Sequence, residues 1–260
     1  MEELLRYDHV DISYNGIPAV QDVSFTLRPG EILGIVGESG CGKSTLLKAA
    51  MGLLGSSGMV TRGDIWYRDK NLPDLPAREL RKLNGPELGM IFQSAGSSFC
   101  PIRTVGAQLY EIMTQHGSVT KRDFESRALE LLNKLGFEDG RRILRSYPFE
   151  LSGGMQQRAG IVAAMLLKLK VLLADEPTAA LDVSVQKQVL EELLLLRKTY
   201  GTAIVLVAHN IGVIGAMADR VLVMQDGRTV EYGETKQVLH DPQAAYTRTL
   251  LAAVPRLRRA

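Results

Sequence analysis

The stretch that decides the fold of this chain is Gly37-Glu38-Ser39-Gly40-Cys41-Gly42-Lys43-Ser44-Thr45. It fits the pattern G-x4-G-K-[ST], and it stands between an apolar run that ends at Val36 and a helical pattern over Lys43–Leu53. A strand, a glycine-rich turn and a helix in this order direct several backbone N–H groups at one anion. We therefore expect these nine residues to bind the phosphates of ATP, with the Lys43 ammonium at the β and γ phosphates and the Ser44 hydroxyl on Mg²⁺.

Short β-rich runs separated by turn residues lie on the N-terminal side of this loop. They cover Val10–Tyr14, Asp22–Leu27 and Glu31–Val36, and a further run follows at Asp64–Tyr67. The N-terminal side is therefore predicted to contain an antiparallel β subdomain.

The rest of the chain changes its hydrophobic period twice. From Thr104 to about Leu167 the period is helical, with no convincing strand, and beyond it short apolar runs alternate with helical patterns. The alternating elements are strands Val171–Ala174, Ala203–Ala208 and Arg220–Met224 and helices Val185–Tyr200 and Ile211–Ala218. We predict a single α/β unit over residues 1–260, with a parallel-sheet core in residues 1–93 and 168–260 and an inserted helical subdomain at 94–167.

The composition is typical of a globular enzyme. Hydrophobic residues make up 45% and charged residues 23%, and the net charge of +2 is too small to indicate a nucleic-acid partner. Cys41 and Cys100 form no CxxC pair, which favours a reducing cytosol. The apolar stretch Ala203–Ala218 is shorter than the ~20 residues that a membrane helix needs, so work at a membrane would require docking on a partner.

A second nucleotide signal is the apolar run Val171–Ala174, which is followed by two carboxylates, Asp175 and Glu176. Asp175 is placed to hold magnesium, and Glu176 to accept a proton from, or orient, the water that attacks the γ-phosphate. The alternative is an ordinary acidic strand end.

The family is indicated by Leu151-Ser152-Gly153-Gly154-Met155-Gln156-Gln157-Arg158. Ser152 can cap a helix whose glycine-rich N-terminus would present N–H groups to an anion. Because this motif lies between the phosphate loop and the acidic strand end, the chain resembles the ABC ATPase family. The resemblance implies a head-to-tail dimer, in which Leu151, Ser152, Gly153, Gly154 and Gln156 of one subunit complete the ATP site of the other.

The same resemblance implies roles for four isolated residues. Tyr14 would stack on adenine, Gln93 would contact magnesium and the attacking water, and His209 would contact the γ-phosphate. Asp182 would belong to the loop that crosses the dimer. The alternatives are a tyrosine packed between strands, a surface glutamine after a strand and a core histidine.

The chain departs from the family pattern in three places. Ala179 stands where serine is usual, and Asn210 where aspartate is usual, which puts one dimer contact and one site contact in doubt. The stretch Gln93–Pro101 departs where the ATPase should contact its membrane subunit.

Cys41, in the phosphate loop at a helix N-terminus, is expected to have a lowered thiol pKa and to be protected from alkylation by ATP.

The closing stretch His240–Pro255 resembles the tail of peptide and nickel importer ATPases, and without a cysteine there no iron–sulfur cluster is expected. The resemblance implies an ATPase on the cytoplasmic face of a membrane, with a second ATPase subunit, identical or paralogous, and transmembrane permease subunits as partners. It also implies an indirect partner, a solute-binding protein, and ATP and Mg²⁺ as cofactors. Non-transport ABC ATPases and ATP-gated regulatory modules are the alternatives, and the presence of Glu176 and His209 favours turnover.

Overall fold

The computed structural model describes residues 3–93, 98–179 and 181–253, and the chain divides into two units. The first unit comprises Met1–Leu80 and Ala203–Ala260, and the second comprises Arg81–Thr202. The second unit contains all of the predicted helical region 104–167 and also residues 168–202. The segment boundaries 94–167 and 168–260 remain a prediction.

The helices begin and end within a few residues of the predicted bounds where a prediction was made. In chain order they are α1 (Lys43–Ala50), α2 (Ala77–Leu83), α3 (Val105–Gln115), α4 (Lys121–Lys134), α5 (Gly140–Arg145), α6 (Gly153–Leu167), α7 (Val183–Tyr200), α8 (Ile211–Met217), α9 (Thr235–His240) and α10 (Ala245–Ala252).

An antiparallel sheet in the first unit confirms the predicted β subdomain. Its strands are β1 (Leu5–Tyr14), β2 (Ile17–Leu27), β4 (Gly58–Tyr67) and β5 (Lys70–Asn71), in the order β2-β1-β4-β5. β1 begins five residues earlier than predicted because Tyr7 is a core residue. Its ring stacks on Phe25 with centroids 4.3 Å apart, and its hydroxyl donates to the Leu46 carbonyl of α1 at 2.7 Å.

A parallel sheet in the same unit carries the phosphate loop. β3 (Ile32–Gly37) is buried along its whole length and pairs in parallel with β8 (Ala203–Val207) and β9 (Arg220–Gln225). An antiparallel strand that the sequence did not predict, β10 (Arg228–Glu234), pairs with β9. Since β3 is paired on both sides, the position of the loop that follows it is fixed by the sheet.

The second unit joins helices α3–α7 to a parallel strand pair, β6 (Leu88–Ile91) and β7 (Val171–Asp175). No strand occurs in residues 104–167, all of which the structure describes, as predicted. The region forms four α-helices, because four side chains accept a hydrogen bond from a backbone N–H three residues on and so start a new helix. These caps are Thr104, Thr120, Asp139 and Ser152.

Within the described ranges, no helix is both long enough and apolar enough to cross a membrane. Residues 94–97 of the stretch Gln93–Pro101, Ala180 beside Ala179, and the tail residues 254–260 lie outside the described residues. The predictions made for those positions therefore stay predictions.

Candidate functional site

The phosphate loop is closed around the ammonium group of Lys43. Nζ donates to the Gly37 carbonyl at 2.9 Å and to the Glu38 carbonyl at 2.7 Å, and the residue is only 4% exposed. The positive charge therefore lies inside the loop concavity, where a desolvated cation attracts phosphate oxygens strongly.

Two glycines of the loop have no room for a side chain. A Cβ on Gly37 would lie 2.2 Å from the Met224 carbonyl oxygen of β9, and one on Gly42 would lie 2.7 Å from the Ala19 carbonyl oxygen of β2. Gly42 also has φ +96°, a conformation that side chains disfavour. Because Gly42 cannot cap α1 with a side chain, and no acidic residue lies in the first turn, the N–H groups of Ser44 and Thr45 are suited to an anion.

A cavity of about 340 Å³ opens beside the loop within the first unit. Its lining comes from the loop residues Glu38, Ser39, Gly40 and Cys41, from the start of β2, and from the β9–β10 turn. The cavity gives a polyphosphate ligand access to the backbone of the loop, and its second and third walls were not predicted from the sequence.

Cys41 does not have the environment that its position suggested. The residue is 6% exposed, and burial raises the pKa of its thiol although the Lys43 charge opposes this. The expectation of a lowered pKa is therefore wrong, because desolvation outweighs the helix N-terminus and the neighbouring cation.

In the first unit Tyr14 ends β1, and His209 lies two residues beyond the end of β8. Tyr14 is half-buried, and its ring passes so close to Gly58 that a Cβ there would lie 2.6 Å from the Tyr14 Cε1 atom. His209 is exposed, which excludes the core-histidine alternative. Asn210 caps α8, with its side-chain oxygen accepting from Gly212 N at 2.8 Å, so the departure from aspartate keeps a working helix start.

In the second unit the structure brings together Gln93 and Glu176, which are 83 positions apart. Gln93 Nε2 donates to Glu176 Oε2 at 2.8 Å. Asp175 ends β7 and Glu176 follows it, and the two residues are only 5% and 7% exposed. Glu176 has φ +48°, a left-handed conformation that costs a non-glycine residue on the order of 1 kcal/mol and is typical of functional sites. The Glu176 carboxylate is therefore buried, and the hydrogen bond from the Gln93 amide fixes its orientation.

The signature motif begins α6 as predicted. Ser152 Oγ accepts from Met155 N at 3.3 Å, which confirms the predicted cap, while Leu151 is buried beneath it. A Cβ on Gly154 would lie 2.6 Å from Val185 Cγ1, so glycine is needed there for α6 to approach α7. Gly153 has open space around its Cα hydrogens and is exposed.

Gln156 of the signature motif and Asp182, for both of which the resemblance implies a dimer role, make contacts within the chain. Gln156 Nε2 donates to the Pro148 carbonyl at 2.7 Å and the Leu151 carbonyl at 3.2 Å, and so holds the turn that precedes the motif. Asp182 caps α7, with Oδ1 accepting from Val185 N at 2.9 Å, and this contact and that of the Ser184 hydroxyl lower the pKa of its carboxyl. Both residues therefore have structural duties besides the dimer roles that the resemblance implies.

Arg158, the last residue of the motif, forms a buried ion pair that the sequence did not reveal. Its Nε lies 2.5 Å from Glu192 Oε1 of α7, and its guanidinium lies 4.1 Å from the centre of the Phe137 ring. It also donates to the Leu135 carbonyl. Burial raises the pKa of Glu192 to about 7, although Arg158 opposes the shift. The pair ties the signature helix to the helix that starts at Asp182.

These features define an ATPase cassette, and comparison with known proteins identifies its class. The model of the ABC transporter family matches residues 20–179. The chain belongs to the ABC transporter family, and it is an ATP-binding, ATP-hydrolysing subunit of that family.

Three of its curated relatives are ATP-binding proteins of transport or import systems. It is 43% identical to the oligopeptide transport ATP-binding protein OppD of Salmonella typhimurium, covering 93% of this chain and 72% of OppD. It is 40% identical to the dipeptide transport ATP-binding protein DppD of Bacillus subtilis, with coverage of 99% and 78%. It is also 40% identical to the metal-staphylopine import system ATP-binding protein CntD of Staphylococcus aureus, with coverage of 96% and 92%.

Two solved structures with a similar fold are dimeric cassettes. A dimeric bacterial ABC transporter cassette superposes with a TM-score of 0.79 at 28% identity, covering 89% of this chain and 98% of that one. A dimeric post-hydrolysis cassette bound to ADP and Pi gives a TM-score of 0.78 at 27% identity, with the same coverage. The α/β fold with its nucleotide chemistry is thus that of an ABC ATPase.

Proposed function

We propose that this chain hydrolyses ATP to drive the import of peptides or metal chelates through a membrane permease. The contact from Gln93 to the buried carboxylate of Glu176 carries the turnover part of this proposal, because a module that only binds ATP needs no oriented base. The names of OppD, DppD and CntD support the substrate classes.

The side chains divide the chemistry between binding and water activation. Lys43 and the loop N–H groups would neutralise the phosphates, and Tyr14 would stack on the base. Glu176 would accept a proton from, or orient, the attacking water, with Gln93 holding its carboxylate and His209 contacting the γ-phosphate.

Magnesium fits this set because Mg²⁺ prefers oxygen ligands and takes only one or two from the protein, the rest coming from phosphates and water. The Ser44 hydroxyl, the Gln93 amide and the buried Asp175 carboxylate would hold it, and bound Mg²⁺ would supply charge neutralisation at the β and γ phosphates. The cradle fits a polyphosphate as well, since the loop approaches β2 and β9 too closely to accept any larger residue at Gly37 or Gly42.

A dimer completes the proposed site. Ser152 and the exposed Gly153 start α6, and its N–H groups would meet the ATP of a second ATPase subunit, identical or paralogous. Both solved relatives described above are dimeric cassettes, which supports this arrangement.

A groove on the second unit suits a permease. The cavity of about 670 Å³ between α3, α4 and α5 has an aromatic and aliphatic floor and a basic rim. An amphipathic cytoplasmic helix with acidic residues would match both features. The chain would then lie on the cytoplasmic face of the membrane and reach a solute-binding protein only through the permease. The floor includes Tyr110, Phe124 and Leu144. The rim carries more basic than acidic residues, with Arg103, Lys121, Arg141 and Arg145 against Glu111 and Glu125.

The turnover proposal is tested with Glu176→Gln, which keeps the shape of the side chain but removes the base. We expect ATP hydrolysis to fall by about 100-fold or more, which is the usual effect of losing a general base. MgATP should also convert the variant to a stable dimer in size-exclusion chromatography. Glu191→Gln, on the exposed face of α7, is the matched control and should hydrolyse ATP normally. Unchanged turnover in Glu176→Gln would contradict the assignment.

The import proposal is tested in vesicles that contain the permease. Uptake of labelled peptides and of a Ni²⁺ chelate is measured with wild type and with Lys121→Glu, which reverses one charge of the groove. We expect one substrate class to be imported, and the variant to lose uptake while its basal ATP hydrolysis persists. ATP hydrolysis without uptake of either class would point to a non-transport ABC ATPase.

A further inference from the structure

The C-terminal helix α10 contacts the phosphate loop through a single tyrosine hydroxyl. Tyr246 Oη accepts a hydrogen bond from the backbone N–H of Glu38 at 3.1 Å. Tyr246 is half-buried, whereas Glu38 at the second position of the loop is exposed. Burial raises the pKa of the phenol, so the hydroxyl stays neutral near pH 7. Neither the loop motif nor the family roles assigned above involve this residue.

The backbone of Glu38 is held on both sides of its Cα, in two successive peptide groups. Its carbonyl accepts from Lys43 Nζ at 2.7 Å and from the Cys41 N–H at 3.3 Å, and the adjoining N–H donates to Tyr246. The Lys43 ammonium is the group that phosphate oxygens would attract. Once Lys43 turns toward a ligand, the tyrosine hydroxyl is the side-chain contact that still fixes this part of the loop.

Tyr246 is itself held by the sheet that carries the loop. Glu231 of β10 caps the start of α10, with Oε1 accepting from Gln243 N at 2.8 Å and Oε2 from Ala244 N at 3.1 Å. β10 pairs with β9, and β9 pairs with β3 in a register that sets Met224 opposite Gly37. The tyrosine and the first residue of the loop are thus anchored to the same strands, which makes the hydroxyl a fixed reference point for the loop.

We propose that Tyr246 is a positioning residue for nucleotide binding, which holds the Gly37–Glu38 peptide group in the conformation that receives the phosphates. The inference rests on the proposed ATP site, because it concerns the same loop. It assigns to α10 a part in ATP binding, with no direct contact to the reacting atoms.

The test compares Tyr246→Phe with Thr249→Val in the full chain. The first removes the hydroxyl and keeps the ring, and the second removes another hydroxyl of α10, which donates to the Ala245 carbonyl. We expect Tyr246→Phe to raise both the dissociation constant for MANT-ATP and the KM for MgATP by about 2- to 10-fold, the range for one lost hydrogen bond. The kcat should stay within twofold, and Thr249→Val should match wild type in every measurement.

Hydrogen–deuterium exchange separates a loop effect from a general loss of stability. Peptides that cover residues 37–43 should exchange faster in Tyr246→Phe, while peptides of β1 and β8 keep wild-type protection. Faster exchange in all of these peptides, or wild-type affinity and exchange in the variant, would overturn the inference. Tighter binding would also overturn it, because the hydroxyl would then compete with the ligand. A wild-type chain that binds no MANT-ATP would instead refute the ATP site itself.

Discussion

Replacing Glu192 with alanine should destabilise the protein more than any exposed charge change, because it leaves Arg158 buried without its partner. The two side chains are only 6% and 11% exposed and lie 2.5 Å apart. Removing one member of a buried pair costs about 3–5 kcal/mol of unfolding free energy, since the remaining charge is desolvated and unpaired. At about 2–4 °C per kcal/mol for a chain of this size, the melting temperature should fall by about 6–20 °C.

The measurement is calorimetric unfolding of wild type, Glu192→Ala, Arg158→Met and the double variant Arg158→Met/Glu192→Leu, with a control variant described below. Because the double variant contains neither charge, it should recover most of the loss, as buried pairs replaced by apolar residues generally do. Lys187→Ala, which breaks an exposed pair with Glu191 on the same helix, is the control and should change the unfolding free energy by about 0–1 kcal/mol.

Two results would refute this reasoning. Either the single variant Glu192→Ala unfolds like the Lys187→Ala control, or the double variant is as unstable as both single variants summed. The first would mean that the pair contributes no more than a surface contact. The second would mean that the loss arises from packing around Phe137 and not from an unpaired charge.

Three further outcomes are expected. The Glu192 carboxyl has a folded pKa of about 7 against 4.5 for the free group, so the folded state binds the proton more tightly. The unfolding free energy should therefore decrease as pH rises from 4.5 to about 7. Glu192→Gln should flatten this slope, and an unchanged slope in the variant would contradict the expectation. N-ethylmaleimide should alkylate the exposed Cys100 well before the buried Cys41, as mass spectrometry of the digested protein can show, and equal rates would be inconsistent with the burial. Gly42→Ala should abolish MANT-ATP binding because its methyl group meets a backbone carbonyl, whereas Gly40→Ala, also at positive φ but with no atom within 4 Å of its Cβ, should only weaken it.

The sequence predicted those parts of the fold that local patterns determine. The phosphate loop, the strand that ends at Asp175 and the cap at Ser152 all lie where their motifs placed them. In each case a few adjacent residues determine the backbone conformation, so the local sequence is sufficient to predict the structure. The antiparallel β subdomain was likewise visible, although the start of β1 was not, because the burial of Tyr7 depends on Phe25 and on α1.

What the sequence did not predict depends on partners distant along the chain. Strand β10 carries half-buried residues without a clear alternation, so only its pairing with β9 defines it. The ion pair between α6 and α7 joins residues 34 positions apart, and Tyr246 reaches a loop 208 positions away. The raised pKa of Cys41 was missed for the same reason, since its burial is a property of the folded neighbourhood.

The left-handed backbone of Glu176 has an evolutionary consequence. A glycine at this position would relax the main chain and make the folded protein more stable, so selection on folding alone pushes this residue away from glutamate. Asparagine and aspartate tolerate the conformation better than most residues, whereas valine, isoleucine and threonine are close to forbidden there. The substitutions open to drift at this carboxylate are therefore few, and those that improve folding are the ones that end hydrolysis.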